Sequence, residues 1–234
     1  MLSRILRNAQ SFSFHLIESI IRNWSGAFGR RLRASYYRHR LGSCGSNLII
    51  DVGVIFKNPT SVHVGSNVWI DSYTIINSGR SAGSRKIDSR TNPSYHHEIG
   101  EIHIKDSVHI AEFCVLQAHG GMSIGSNTSI AAGSKIFTLS HHYRNTLNED
   151  DKNRYSPSTT APFSDQFLIC APVVIGNAAM IGLNSVLLPG TTVPDNTWVG
   201  VQTFIKGTQL ESARTYSGAP AELLPVSRST CKPK

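Results

Sequence analysis

Charge is scarce in this chain. Only 16% of its 234 residues are Asp, Glu, Lys or Arg, against about 25% in an ordinary soluble domain. Acids are the rarer sign, 15 against 23 basic residues, which leaves a net charge of +8. The excess is not spread along the chain. Residues 1–40 hold eight arginines and a lone acid, Glu18, and so carry +7, while the rest carries +1. A basic arm on a nearly neutral body is not a basic groove, and no helix-turn-helix, finger or RNP-like motif accompanies it, so nucleic acid is not an expected partner. Long apolar runs are missing too. No stretch approaches the ~20 residues of a membrane span, and the N-terminus lacks the apolar h-region and cleavage site of a secretory signal. An Arg- and Ser-rich start is also the composition of an organellar transit peptide, the weaker alternative. Cysteine is sparse: Cys44, Cys114, Cys170 and Cys231, with no C-x-x-C pair. That spacing points to reduced, buried thiols rather than disulfides or a metal site, and hence to a reducing, cytoplasmic setting.

What the chain has is a beat of six. Aliphatic residues fall at Ile175, Ile181, Leu187, Val193, Val199 and Ile205, and earlier at Val64, Ile70, Ile76 and at Ile104, Ile110, Leu116. After a slip of two residues the beat resumes at Ile124, Ile130 and Ile136. Four residues after these aliphatics stands a small or β-branched side chain: Val68, Thr74, Val108, Cys114, Thr128, Ser134, Ala179, Ser185, Thr191, Thr197 and Thr203. That position lies two residues before the next aliphatic, so the pair shares one face of an extended strand. Gly65, Asp71, Gly125, Gly176, Gly182 and Gly200, with Asn67, Asn127, Asn177, Asn184 and Asn196, follow the aliphatics and are expected to supply the positive φ of tight corners. Units too short to bury a face alone must stack on copies of themselves. The chain is therefore all-β, a solenoid in which three hexads close one triangular coil.

Three regions are expected. Residues 1–40 form a basic amphipathic helical segment, with apolar side chains at three-four spacing from Leu2 to Leu32 and a break into two helices at Gly26 and Gly29. One reading makes it a cap on the solenoid end; the other turns its arginines toward anionic lipid at the inner membrane face. The repeat domain spans 41–210, interrupted by two loop excursions, about Ser78–Ile99 and Thr138–Pro172. A tail spans 211–234. Long loops on a regular scaffold commonly carry function.

At this point the chain resembles the hexapeptide-repeat acyltransferases. The segment Ile136-Phe137-Thr138-Leu139-Ser140-His141 is similar to the I-[YF]-[TS]-x-[TS]-H segment of the maltose and galactoside O-acetyltransferase group, and the resemblance extends to polysaccharide O-acetyltransferases. It implies a left-handed parallel β-helix, a hand that general crossover rules do not favour. It implies acetyl-CoA as co-substrate with no metal, a homotrimer, and a sugar or glycan acceptor. By the same resemblance His141 is the general base of a direct transfer, and Gly182, Leu183, Gly200, Val201, Lys206 and Arg214 hold CoA. Ser217-Gly218-Ala219-Pro220-Ala221 is similar to the family's G-x-P-A turn. Register places Ala111 or Glu112 where the galactoside type has asparagine, and Glu112 is the candidate partner of the base. His119, His142 and Tyr143 are candidate acceptor-site residues.

The chemistry fits the residue type. A sugar hydroxyl attacking a thioester must lose its proton as the bond forms, and an imidazole titrating near neutrality can take that proton. Two rivals stand beside this reading. A metal-dependent carbonic anhydrase type needs three converging histidines; His63, His103, His109 and His119 exist, but its paired H-x4-H does not. A non-catalytic structural solenoid would make His141 dispensable, and an aminosugar or antibiotic acetyltransferase would change only the acceptor.

Overall fold

The computed structural model describes residues 16–81 and 85–225. Residues 43–205 wind through six triangular coils that build three parallel sheets. The first face stacks Ser43–Cys44, Val62–Val64, Ile102–Ile104, Met122–Ile124, Val173–Ile175 and Thr192–Val193. The second runs from Ile49–Ile50 through Trp69–Ile70, His109–Ile110, Ser129–Ile130 and Met180–Ile181 to Trp198–Val199. The third runs from Ile55–Lys57 through Ile75–Asn77, Val115–Gln117, Lys135–Phe137 and Val186–Leu187 to Phe204–Ile205. Strands on each face pair in register, Ile70 opposite Ile110 and Leu116 opposite Ile136 for example. The six-residue beat thus becomes three columns of aliphatics meeting on the prism axis. Ile50, Ile70, Ile76, Ile110, Leu116, Ile130, Ile136, Ile181 and Leu187 are fully buried, as are Thr74, Ser134, Ser185 and Thr197 from the second set. Those buried hydroxyls donate across the coils, as in Ser134 Oγ to the Gly182 carbonyl (3.0 Å), which removes the cost of burying them.

The corners correct one expectation. Positive φ is carried by Asn67, Asn127, Asn184 and Asn196, and also by Tyr73, Ser107, Phe113, Ala178 and Gln202, but not by Gly65, Asp71, Gly125, Gly176, Gly182, Gly200 or Asn177. Those glycines answer to coil stacking. A Cβ on Gly182 would stand 2.6 Å from the Gly200 carbonyl oxygen, and one on Gly200 would stand 2.7 Å from Ser217 Oγ. The spacing between coils, not the turn, selects glycine there.

The N-terminal cap divides differently from the expectation. Residues 16–22 are helical, the chain turns at 23–25, and a second helix spans Gly26–Arg38 with Gly29 inside it. Arg33 is fully buried and donates to the carbonyls of Ile50 (2.9 Å), Ile21 (2.8 Å) and Trp24 (2.6 Å), binding both helical pieces to the first coil. Tyr37 packs on Phe56 and donates to Glu18 at 2.9 Å. The opposite side, Leu16, Ile17, Ile20, Trp24 and Phe28, stays exposed. The part of the arm that falls in residues 1–15 lies outside the described residues, as does Cys231. No helix among the described residues is long and apolar enough to cross a membrane.

Both excursions leave the prism from one edge, between the third and first faces, at coils two and four. They meet in a small sheet of their own: Leu139–His141 runs antiparallel to Phe167–Cys170, which runs parallel to Lys86–Ser89. Gln166, fully buried, accepts from Arg85 (3.0 Å) and donates to the Ala161 carbonyl (2.6 Å), while Lys86 donates to Tyr155 Oη at 2.8 Å. Strand pairing outlasts the expected end of the repeat: Thr215–Ser217 adds to the second face and folds back on Glu222–Leu223.

Candidate active site

The strand Leu139–His141 exists because Thr138 turns the chain out of the prism. Thr138 is fully buried; its Oγ1 donates to the Gln117 carbonyl (2.9 Å) and accepts from the Gly120 amide (2.7 Å), locking the exit point to the coil below. Pairing with Phe167–Cys170 then fixes the direction of His141, whose backbone lies opposite Leu168. The half-buried His141 ring lines a pocket of about 270 Å³ together with Arg90, Ser140, His142, Ile169, Leu188, Pro189, Lys206 and Gly207. Two cations and no carboxylate line this space, so it favours an anionic guest.

Arg90 is held in place rather than free. Its Nε and Nη2 donate to Asp88 Oδ2 at 2.8 and 2.7 Å, and Thr146 donates to the same oxygen at 2.6 Å. Burial pushes the Asp88 carboxyl upward, but the Arg90 and Thr146 hydrogen bonds outweigh it and hold the group below its ordinary value. Lys206, exposed on the last coil, reaches the same pocket. His141 Nδ1 is shielded from solvent and has no hydrogen-bond partner among the described residues.

The remaining candidates separate by edge. His119 lies on the same edge as His141 but is committed to structure: its Nδ1 donates to the Gly79 carbonyl at 2.6 Å, so its Nε2 accepts from Asn77 at 3.2 Å. His142 stacks on Tyr143 at 4.9 Å and its Nδ1 is bonded to the backbone of Arg144. Tyr143 is 52% exposed and is not part of the pocket wall. Glu112, Gly182, Leu183, Gly200 and Val201 all sit on a different edge, between the second and third faces. Within one copy Glu112 therefore does not line the His141 pocket. Arg214 stands at the third edge, paired with Glu211 at 3.5 Å. Among the histidines weighed for a metal, His109 is bonded to Asp71 (2.8 Å), while His63 and His103 are stacked neighbours. Arg90 and Asp88 carry no sequence signal, since a four-residue strand inside a Ser- and Arg-rich loop is invisible without its partner.

No family model matches the chain. Two curated relatives do. The protein named as the lipopolysaccharide biosynthesis O-acetyl transferase WbbJ of Escherichia coli (strain K12) is 27% identical over 125 residues, 53% of this chain. The match spans 60% of that protein's length. The dTDP-4-amino-4,6-dideoxy-D-glucose acyltransferase of Escherichia coli is 22% identical over 190 residues, 81% of this chain and 83% of that one. Among solved structures, the N-acyltransferase AntD from Bacillus cereus, in complex with dTDP and 3-hydroxybutyryl-CoA, superposes with a TM-score of 0.64 at 18% identity, covering 82% of this chain and 86% of that one. The fold is the left-handed parallel β-helix of the hexapeptide-repeat acyltransferases, and the resemblance read from the sequence is supported.

Proposed function

We propose that this chain is an acyl-CoA-dependent acyltransferase that moves an acetyl group onto a sugar hydroxyl by direct transfer, with His141 as general base. The observation that carries the reading is the placement of His141 in a cation-lined pocket at the root of both excursions. The hydroxyl gives its proton to the imidazole as its oxygen bonds to the thioester carbonyl carbon. The C–S bond then breaks, and the imidazolium returns the proton to the thiolate of CoA. A positioned base of this kind contributes about 10²- to 10⁴-fold. Lys206 and Arg90 suit phosphates, on CoA or on a nucleotide-linked sugar.

The donor candidates fall on three edges, Lys206 on one, Gly182–Val201 on another and Arg214 on the third, which supports a site shared between copies. One CoA touching both Lys206 and the Gly182–Val201 edge needs two protomers, as a homotrimer provides. Exposed Tyr73, Phe113, Leu183 and Val201 form an apolar ridge on that second edge, with Tyr73 and Phe113 stacked at 5.6 Å, which suits burial against a neighbour. A role in surface polysaccharide synthesis draws on the relative named for lipopolysaccharide biosynthesis. A second reading, N-acylation of a nucleotide-linked aminosugar, is favoured by the longer alignment with an aminosugar acyltransferase. Purified chain with acetyl-CoA, a panel of hydroxyl and amino nucleotide sugars, and detection of released CoA separates the two. Turnover with none of them, nor with free oligosaccharides, would overturn the proposal.

A further inference from the structure

We propose that His63, Glu101 and His103 form a binding site for a single divalent transition-metal ion of the zinc class, on the first face of the prism and apart from the transfer chemistry. The fold builds this cluster directly. His63 and His103 are register partners on neighbouring strands. They alternate with the buried Val62, Val64, Ile102 and Ile104, so both rings stand on the outer surface of the sheet. The rings stack at 4.4 Å and 8°. Glu101, one residue ahead of its strand, places one carboxylate oxygen 2.7 Å from His103 Nε2 and the other 3.6 Å from His63 Nε2. One ligand atom from each residue falls within 4.8 Å of the others.

His63 makes the argument. Its Nδ1 lies 3.2 Å from Ser43 Oγ, and in the tautomer in which that hydroxyl accepts from Nδ1–H its Nε2 presents a lone pair. That Nε2 is shielded from solvent and has no hydrogen-bond partner among the described residues. It faces a carboxylate oxygen at a distance too long for a hydrogen bond. In that tautomer two electron-rich atoms stand together without a proton between them, and a cation there stabilises them. Ligands around a tetrahedral zinc bonded at about 2.0–2.2 Å stand roughly 3.4 Å apart, between the two separations found here. Occupancy asks the near-parallel rings to rotate so that both lone pairs converge, and asks His103 to release its Nε2 proton. Ser43 then acts as the outer partner that fixes the tautomer of His63. Two imidazoles and one carboxylate suit zinc over magnesium or calcium. An ion here would tie the returning end of the first excursion, which Glu101 closes, to coils two and three.

The test uses the full chain, stripped with chelator and titrated with zinc chloride by calorimetry. The expected result is saturable binding of one ion per chain in the micromolar range or tighter, no response to magnesium, and a higher Tm with zinc than with chelator. His63→Ala and Glu101→Gln should abolish binding while keeping the chelator-treated Tm of the parent, and Ser43→Ala should weaken it by about tenfold. His109→Ala, which alters a different surface histidine, should bind like the parent. Absence of saturable binding, or binding that survives both His63→Ala and Glu101→Gln, would overturn the proposal.

Discussion

Arg33 is the residue whose removal tests how the end of the prism is sealed. Its guanidinium satisfies three backbone carbonyls, one on the first coil and two on the preceding helical segment and turn. Arg33→Met keeps most of the side-chain volume and removes every donor. An orphaned buried carbonyl costs about 1–3 kcal/mol; that of Ile50 is buried, that of Ile21 keeps a long bond from the Trp24 amide at 3.4 Å, and that of Trp24 is part-buried. Relief from no longer burying a charge returns several kcal/mol, so the expected net loss is about 3 kcal/mol. A solenoid is quasi-one-dimensional, so that loss should be local. Hydrogen exchange read by mass spectrometry should show amides of residues 16–57 exchanging roughly a hundredfold faster, since each ~1.4 kcal/mol is a factor of ten. Coils five and six, residues 173–205, should keep their protection. Exposure of the first-coil strands should also make the variant prone to self-association. Equal protection at residues 41–57 in parent and variant would refute the sealing role, and uniform loss along all coils would refute the local account.

Thr138→Val, nearly isosteric, strips the hydrogen bonds that fix the exit of the second excursion; it should cost about 1–3 kcal/mol and lower kcat more than it changes the Tm of the prism. Asp88→Asn should destabilise the chain at neutral pH by about 1–2 kcal/mol. The Asp88 carboxyl is held low in the folded state, so its contribution is present above the unfolded carboxylate range and is lost as pH falls through the folded value. Melting curves of parent and variant should therefore converge in acid, and a gap that widens would contradict the assignment. Burial pushes the Cys114 thiol up to about 11, so alkylation at pH 8 should leave Cys114 unlabelled until denaturant is added, as peptide mapping would show.

Much of the fold was legible because its core obeys a period. Every aliphatic from Val64 to Ile205 named by the six-residue beat occupies the axis of the prism. The corners were less legible. Asparagine carries positive φ as expected at Asn67 and Asn127, but Tyr73 and Phe113 do so as well, because the stacked rings are held by the neighbouring coil rather than by local preference. Gly182 and Gly200 were expected for the approach of a ligand to their backbone, and the structure adds a second demand for glycine, because a Cβ there would meet the next coil. His141 and Lys206 were each named through the family resemblance, and the structure brings them to one pocket. Arg90 and Asp88 were not visible, because their position depends on a pairing between residues some 80 apart, Asp88 with Ile169. Edge assignment was likewise beyond single-residue reading: within one copy Glu112 faces a different corner from His141.

The most direct measurement of the central claim is CoA release from acetyl-CoA by His141→Ala, beside the parent, with the acceptor that the parent uses. The account predicts a fall of about 10²- to 10⁴-fold in kcat with the Tm unchanged, and a smaller effect from His142→Ala. Undiminished turnover by a folded His141→Ala would contradict it.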